Sequence, residues 1–168
     1  MRLFLMRHAT TEDGKNKEDV ARLLTEEGKE EAAKAREFID DYHLDKVLVS
    51  YVKRAVQTAN IIIDNPNDPE DKIVSNIEIV TDLYRESEEK VIELIKNQED
   101  KDKNILIVGH NPIIYNVITR LSSKNTAKYD ELIQNQMVPA KIVILDFTID
   151  SWLDIAEDSG EIKEIFIP

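Results

Sequence analysis

The chain contains no cysteine among its 168 residues. Disulfide bonds, thiolate metal sites and cysteine nucleophiles are therefore excluded. Basic residues are also scarce. The chain has 22 Lys and Arg but 34 Asp and Glu, which gives a formal net charge of −12. Binding to nucleic acid depends on clustered Lys and Arg, so this balance argues against a nucleic-acid-binding protein.

Long apolar runs are absent as well. No run approaches the roughly 20 residues that a membrane span requires. The first apolar stretch ends at Arg7 and His8, too early for a signal peptide. We therefore expect a cytoplasmic protein that does not contact a membrane. The length fits one domain over residues 1–168, with room for a hydrophobic core.

Apolar runs alternate with helical patterns along the chain, which predicts an α/β fold with a mostly parallel central sheet. Residues 3–6 and 105–108 form two apolar runs and are predicted as buried parallel strands. The last two predicted strands, 141–147 and 161–167, are expected to be antiparallel to each other or to lie at a sheet edge. Residues 65–69 have the composition of a turn.

Helices are expected between the strands. Thr25 can cap the first of them, which is predicted to run to about Tyr42. Ser50 ends a short predicted strand and is a potential cap for the next helix. The remaining helical patterns cover residues 52–63, 87–97 and 112–121.

Two of the three histidines directly follow predicted buried strands. Arg7 and His8 end the first apolar run, and His110 follows residues 105–108. Parallel strands present functional groups at their carboxyl ends, so these positions are typical of a functional site. His43 lies among acidic residues at a predicted helix end, where a surface role is expected. Two alternatives remain: the histidines are satisfied core residues, or they bind zinc without a recognisable third ligand.

Four short motifs occur along the chain: Arg7-His8-Ala9, Leu24-Thr25-x-x-Gly28, Ser50-x-x-x-Arg54-Ala55-x-x-Thr58-Ala59 and Gly109-His110-Asn111-Pro112. They resemble the motifs of the histidine phosphatase superfamily, which includes phosphoglycerate mutases and acid phosphatases. They occur in the superfamily's order, and the resemblance covers nearly the whole chain. The resemblance implies a three-layer α/β/α sandwich with a mostly parallel central sheet, the phosphoglycerate mutase-like fold.

Arginine and histidine suit phosphoryl transfer. The transferring group spreads negative charge over its oxygens, so a catalyst needs fixed cationic donors and an in-line nucleophile. The resemblance implies that His8 attacks phosphorus and that water hydrolyses the resulting phosphohistidine. Arg7, Arg54 and His110 would hold the phosphoryl group, with His110 donating best when it is protonated. No metal or other cofactor is implied, because these side chains can neutralise the charge.

The proton donor is the main departure from the superfamily's pattern. Many members place a glutamate two residues after the leucine that corresponds to Leu83, where this chain has Arg85. Glu86, one position later, is a candidate proton donor and equally an ordinary acid at a helix start. Short, SixA-like phosphohistidine phosphatases also lack this acid. They need it less, because imidazole leaves phosphorus readily once it is protonated.

The spacing of the motifs favours the same subgroup. Only 45 residues separate His8 from Arg54 and 55 separate Arg54 from His110, which leaves little room for insertions that enclose small sugar phosphates. The hypothesis is a phosphatase for phosphohistidine in a protein partner, such as a histidine phosphotransfer domain. The alternatives are a phosphomonoesterase for small phosphate esters and a slow or inactive phosphate-recognition module. Segments 10–23 and 122–138 are expected to rim the site.

Overall fold

The computed structural model describes residues 1–16, 18–64, 74 and 76–168, and a six-stranded sheet lies at its centre. The strands are β1 (Arg2–Arg7), β2 (Lys46–Ser50), β3 (Ile77–Val80), β4 (Asn104–Gly109), β5 (Ile142–Asp146) and β6 (Glu161–Phe166). They lie in the order β3-β2-β4-β1-β5-β6. The first four strands pair in parallel, whereas β5 is antiparallel to both β1 and β6. This arrangement confirms the predicted sheet.

Helices connect most of the strands. In the described part of the chain they are α1 (Glu26–Ile39), α2 (Lys53–Ile63), α3 (Asp82–Arg85), α4 (Glu88–Lys96), α5 (Ile113–Leu121) and α6 (Ala127–Gln134). Four of them fall within the predicted helical patterns, whereas α3 and α6 were not predicted. The predicted turn at 65–69 lies outside the described residues. No helix among the described residues is both long enough and apolar enough to cross a bilayer.

The two faces of the sheet carry separate cores. Successive side chains of β1 point to opposite faces, because side chains alternate along a strand. Leu3 and Leu5 pack in a core that includes residues of α4 and α5, while Phe4 and Met6 pack with residues of α1 and α2. All four side chains are fully buried. Helices therefore cover both faces, which confirms the three-layer α/β/α sandwich.

The start of α1 is tied to the segment that follows His8. Thr25 Oγ1 accepts a hydrogen bond from the Gly28 backbone N–H at 3.0 Å, so Thr25 caps the helix as predicted. Gly28 lies directly against the backbone of Thr10, and a Cβ added there would lie 2.0 Å from the Thr10 carbonyl oxygen. Only glycine allows this close approach of helix and loop.

Gly28→Ala is therefore expected to destabilise the fold, although alanine in a helix is normally favoured over glycine by about 1 kcal/mol. The clash with the Thr10 backbone outweighs that gain, and we expect a loss of about 2 kcal/mol or more. Urea unfolding measures it, with Gly14→Ala as the control, because a Cβ on Gly14 would meet only the flexible Arg22 side chain, at 3.4 Å. Equal unfolding free energies for the two variants would contradict this explanation.

The prediction that Ser50 caps α2 is wrong. Val52 occupies the capping position, and no side chain that the structure describes caps this helix. Ser50 instead ends β2, fully buried, with its Oγ 2.9 Å from His110 Nε2. By sequence, a serine after a short strand can either cap a helix or bind a residue of a neighbouring strand. Here β4 pairs with β2 and places His110 beside Ser50, which determines its role.

Candidate active site

The carboxyl ends of three neighbouring strands bring together four of the predicted residues. Arg7 ends β1 and His8 follows it, His110 follows β4, and Arg54 lies in the first turn of α2 after β2. All four line one cavity of about 390 Å³. The remaining lining residues are Ala9, Thr10, Thr11, Arg22, Asn111 and Pro139. Both the segment after His8 and the segment before β5 therefore contribute to the rim.

The hydrogen bonds of His8 define its tautomer. Its Nδ1 lies 2.8 Å from the Ala9 carbonyl oxygen, which can only accept, so Nδ1 carries the proton. In the neutral ring Nε2 then has the lone pair, and it accepts a hydrogen bond from Arg54 Nε at 3.1 Å. The residue is only 8% exposed. Nε2 is therefore the nitrogen that can act as a nucleophile.

Burial makes both site histidines weak bases. It lowers the pKa of His8 to about 4, opposed by the hydrogen bond to Ala9 and assisted by the nearby Arg54 and Arg7 guanidinium groups. Burial, together with the same cations and His8, lowers the pKa of His110 to about 3. Both rings are neutral at pH 7. Neutrality is what a nucleophilic His8 requires, whereas His110 would need a nearby negative charge before it became protonated.

These lowered pKa values predict acid sensitivity. The unfolded chain binds more protons than the folded one between pH 6.5 and about 4, so stability falls as the pH drops through this interval. From pH 7 to 4.5 we expect His8 alone to account for about 2 kcal/mol of lost stability. Urea unfolding of wild type and His8→Gln at both pH values measures this contribution. Between the two pH values, the unfolding free energy of the variant should fall by about 2 kcal/mol less than that of wild type. An equal fall would contradict the low pKa of His8.

His110 has one partnered and one unpartnered nitrogen. Its Nε2 lies 2.9 Å from Ser50 Oγ, whereas its Nδ1 is buried and has no hydrogen-bond partner among the described residues. The ring centroids of His110 and His8 are 4.9 Å apart. The alternative of two satisfied core histidines fails for His110, whereas His8 uses both of its ring nitrogens in hydrogen bonds. Nδ1 is therefore the ring nitrogen of His110 whose hydrogen bonding the described residues leave unsatisfied.

Arg7 is held from the side of segment 122–138. Its Nη1 donates to the Met137 carbonyl oxygen at 2.8 Å, and the same oxygen accepts from Asn111 Nδ2 at 3.0 Å. The Arg7 Nε is buried and has no partner in the described part of the chain. Such a donor is costly to leave unpaired, so an acceptor brought by a ligand would be favoured here.

Arg54 links His8 to an aspartate that the motifs did not identify. While its Nε donates to His8, its Nη1 donates to the Asp19 carbonyl oxygen at 2.5 Å and its Nη2 to Asp19 Oδ2 at 2.9 Å. Tyr84 donates to the same carboxylate at 2.6 Å. Hydrogen bonds from Tyr84, Arg54 and Arg22 hold the pKa of Asp19 far below its usual range. Asp19 lies in a polar segment without a distinguishing pattern, so no sequence signal indicated it.

Glu86 is exposed after α3 and is not among the residues that line the cavity. Its role as proton donor stays a prediction. Asp19 is the carboxylate next to the cationic residues, but its lowered pKa keeps it ionised near pH 7, so it has no proton to give to a leaving group. Among the described residues, no group of three or more His, Asp or Glu side chains is arranged to hold a metal ion.

Comparison with known proteins agrees with the motifs. The family model of the histidine phosphatase superfamily (branch 1) matches residues 3–73. A comparison with curated protein sequences gave no match. A protein assigned as the phosphohistidine phosphatase SixA of Nakamurella multipartitia matches with a TM-score of 0.84 and 22% identity, over 99% of this chain and 95% of that chain.

Two further SixA structures are similar over nearly the full length. The protein assigned as SixA of Agrobacterium tumefaciens has a TM-score of 0.77 and 20% identity, over 99% of this chain and 97% of that chain. A SixA complexed with tungstate has a TM-score of 0.73 and 20% identity, over 98% of this chain and 96% of that chain. The predicted resemblance is thus confirmed: the chain matches the histidine phosphatase superfamily in sequence over residues 3–73 and has the phosphoglycerate mutase-like fold over its length.

Proposed function

We propose that this protein is a metal-independent phosphatase in which His8 accepts the phosphoryl group and water then releases it. The observation that carries the proposal is that His8 Nε2, the unprotonated nitrogen, shares one cavity with Arg7, Arg54 and His110. The superfamily match and the SixA neighbours support a phosphatase. Tungstate, bound by one of those neighbours, is a tetrahedral oxyanion like phosphate.

The first step transfers the phosphoryl group to His8. Nε2 attacks phosphorus with its lone pair while the bond from phosphorus to the leaving group breaks. The electron pair of that bond departs with the leaving group, which for phosphohistidine is an imidazole that has taken a proton from solvent on its other nitrogen. The Nδ1–H bond to the Ala9 carbonyl oxygen keeps the ring oriented and stabilises the positive charge that develops on it. In the structure Arg54 Nε donates to the lone pair of His8 Nε2. Once this lone pair forms the bond to phosphorus, Arg54 Nε becomes available to a phosphoryl oxygen.

The second step is hydrolysis. Water attacks the phosphohistidine, the bond between Nε2 and phosphorus breaks, and its electron pair returns to the ring as orthophosphate leaves. The bound phosphoryl group also places negative charge beside His110, which raises the pKa of that ring and favours donation from the unpartnered Nδ1. Preformed donors around the equatorial oxygens stabilise both transition states.

The proposed substrate is phosphohistidine in a protein partner such as a histidine phosphotransfer domain. Between 98% and 99% of this chain aligns with 95% to 97% of the SixA structures, which supports a short form with little room for insertions around the site. No carboxylic acid from the described part of the chain lines the cavity. A phosphoramidate tolerates this absence better than a phosphate ester does, because protonated imidazole is a better leaving group than an alkoxide.

A substrate panel tests the proposal. Purified protein is assayed with a phosphohistidine peptide, a phosphorylated phosphotransfer domain, sugar phosphates and an aryl phosphate, with His8→Ala as the blank. We expect the phosphohistidine substrates to give the highest kcat/KM. Efficient hydrolysis of small esters with phosphohistidine untouched would favour the phosphomonoesterase. Binding of tungstate without turnover of any substrate would favour the recognition module.

A further inference from the structure

Lys141 is a buried cation outside the cavity, directly before β5. It is 0% exposed, and its Nζ lies 3.3 Å from the carbonyl oxygens of both Asn135 and Gln136. These two carbonyls belong to the first residues after α6. Burying an amino group is costly unless it is hydrogen bonded, so Lys141 and this short segment hold each other in place.

The segment held by Lys141 leads directly to Arg7. Its next residue is Met137, whose carbonyl oxygen accepts the hydrogen bond from Arg7 Nη1 at 2.8 Å. On the other side, the Ala140 N–H donates to the Arg7 carbonyl oxygen at 3.1 Å, and the Arg7 N–H donates to the Lys141 carbonyl oxygen at 3.3 Å. Residues 135–141 therefore enclose both the backbone and the side chain of Arg7.

Backbone strain in the same segment shows that its path is imposed. Ala140 has φ 56°, a left-handed conformation that is strained for a non-glycine residue. Such a conformation persists only where surrounding contacts determine it. Two contacts fix the ends of this turn. Before it, the Met137 carbonyl oxygen accepts a hydrogen bond from the Arg7 side chain. After it, β5 pairs with β1, the strand that ends at Arg7.

We propose that Lys141 is a positioning residue that fixes the Arg7 guanidinium through residues 135–137. This inference rests on the proposed function, in which Arg7 holds the phosphoryl group. With Nη1 anchored to Met137, the Arg7 side chain is held where it lines the cavity, and its buried Nε has no partner among the described residues. A methionine of similar length would fill the space of the lysine but would not bind the two carbonyls. Since burying a cation brings little net stability, we expect Lys141→Met to fold.

The test is a double-mutant cycle on Lys141 and Arg7, read by two probes. Tungstate affinity is measured by calorimetry, and kcat and KM are measured with a phosphohistidine peptide. Lys141→Met should weaken tungstate binding by about 10-fold and lower kcat/KM by a similar factor, mainly through KM. In the Arg7→Ala background the same substitution should change neither value by more than about 2-fold, because the guanidinium that Lys141 positions is absent.

Two further variants separate positioning from general structure. Lys141→Arg keeps a buried cationic donor and should restore tungstate affinity to within about 3-fold of wild type. Lys128→Met is the matched control, since Lys128 also donates to a backbone carbonyl, that of Lys163, but at the surface. It should leave both readouts unchanged. Near-ultraviolet circular dichroism verifies that each variant is folded.

Several outcomes would overturn the inference. One is that Lys141→Met binds tungstate as tightly as wild type. Another is that this substitution changes tungstate affinity and kcat/KM equally in the wild-type and Arg7→Ala backgrounds. A third is that both Lys141 variants lose the native fold. If wild type binds tungstate but hydrolyses no phosphorylated substrate, the proposed function fails while the tungstate cycle still decides the role of Lys141. If wild type binds no tungstate, Arg7 is not part of an oxyanion site and both proposals are overturned.

Discussion

Replacing His8 with alanine is expected to lower kcat on a phosphohistidine peptide by about 10³-fold or more, because no other group replaces a lost nucleophile. The neutral tautomer gives His8 Nε2 a lone pair at the cavity. In the proposed mechanism His110 does not replace it, because its Nδ1 donates to the phosphoryl group and its Nε2 lies against Ser50 Oγ. Steady-state hydrolysis, measured with the folded variant, gives the effect directly.

The control for this prediction is His43→Ala. The His43 side chain is 79% exposed and lies 3.1 Å from Asp45, outside the cavity. Its removal should leave kcat and KM unchanged. If His8→Ala retained more than a tenth of the wild-type kcat while His43→Ala behaved as wild type, His8 could not be the nucleophile, and the cavity would have to act in another way.

Replacing Arg54 with alanine is expected to lower kcat/KM by about 10²- to 10³-fold, a range typical for the loss of a preformed donor to a developing charge. Arg54→Lys should recover little of this, because an ammonium keeps the charge but not the planar pair of donors. The substitution should also alter the pH profile. Burial is the main cause of the low pKa of His8 and Arg54 adds to it, so removing Arg54 should raise that pKa.

The measurement is kcat/KM against pH for wild type, Arg54→Ala and Arg54→Lys. Since only neutral His8 can attack, the acid limb should move to higher pH in Arg54→Ala, whereas wild type should stay active well below pH 6.5. Arg120→Ala is the control, because Arg120 is an arginine paired with Glu89 and Glu157 away from the cavity. Wild-type rates in Arg54→Lys would contradict the need for a planar pair of donors.

Local sequence patterns predicted the elements that present the site. The strands ending at Arg7 and before His110 are continuous apolar runs, and a strand buried on both faces has to be apolar along its length. The polar residues that end these runs are therefore conspicuous. Thr25 was also recognisable as a cap, because capping restricts the residue type strongly. Gly28 was recognised only as part of a motif, and its close approach to Thr10 became evident from the structure.

Contacts between distant segments could not be predicted in this way. Ser50 and His110 are 60 positions apart, and Asp19 and Arg54 are 35 apart. A serine at a strand end and an aspartate in a polar loop are compatible with many local roles, so their partners depend on which strands and loops become neighbours. Lys141 was predicted only as part of a strand, because its buried hydrogen bonds arise from the path of the chain after α6.

Chemical trapping of the phosphorylated protein tests the central claim most directly. Wild type is mixed with a phosphohistidine peptide, quenched in alkali, where phosphohistidine survives, and analysed by intact-mass and peptide mass spectrometry. The account predicts a single phosphoryl group on the His8 peptide of wild type during turnover, and none on His8→Ala. Turnover by wild type with no phosphoryl group trapped, or with the group on any residue other than His8, would contradict it.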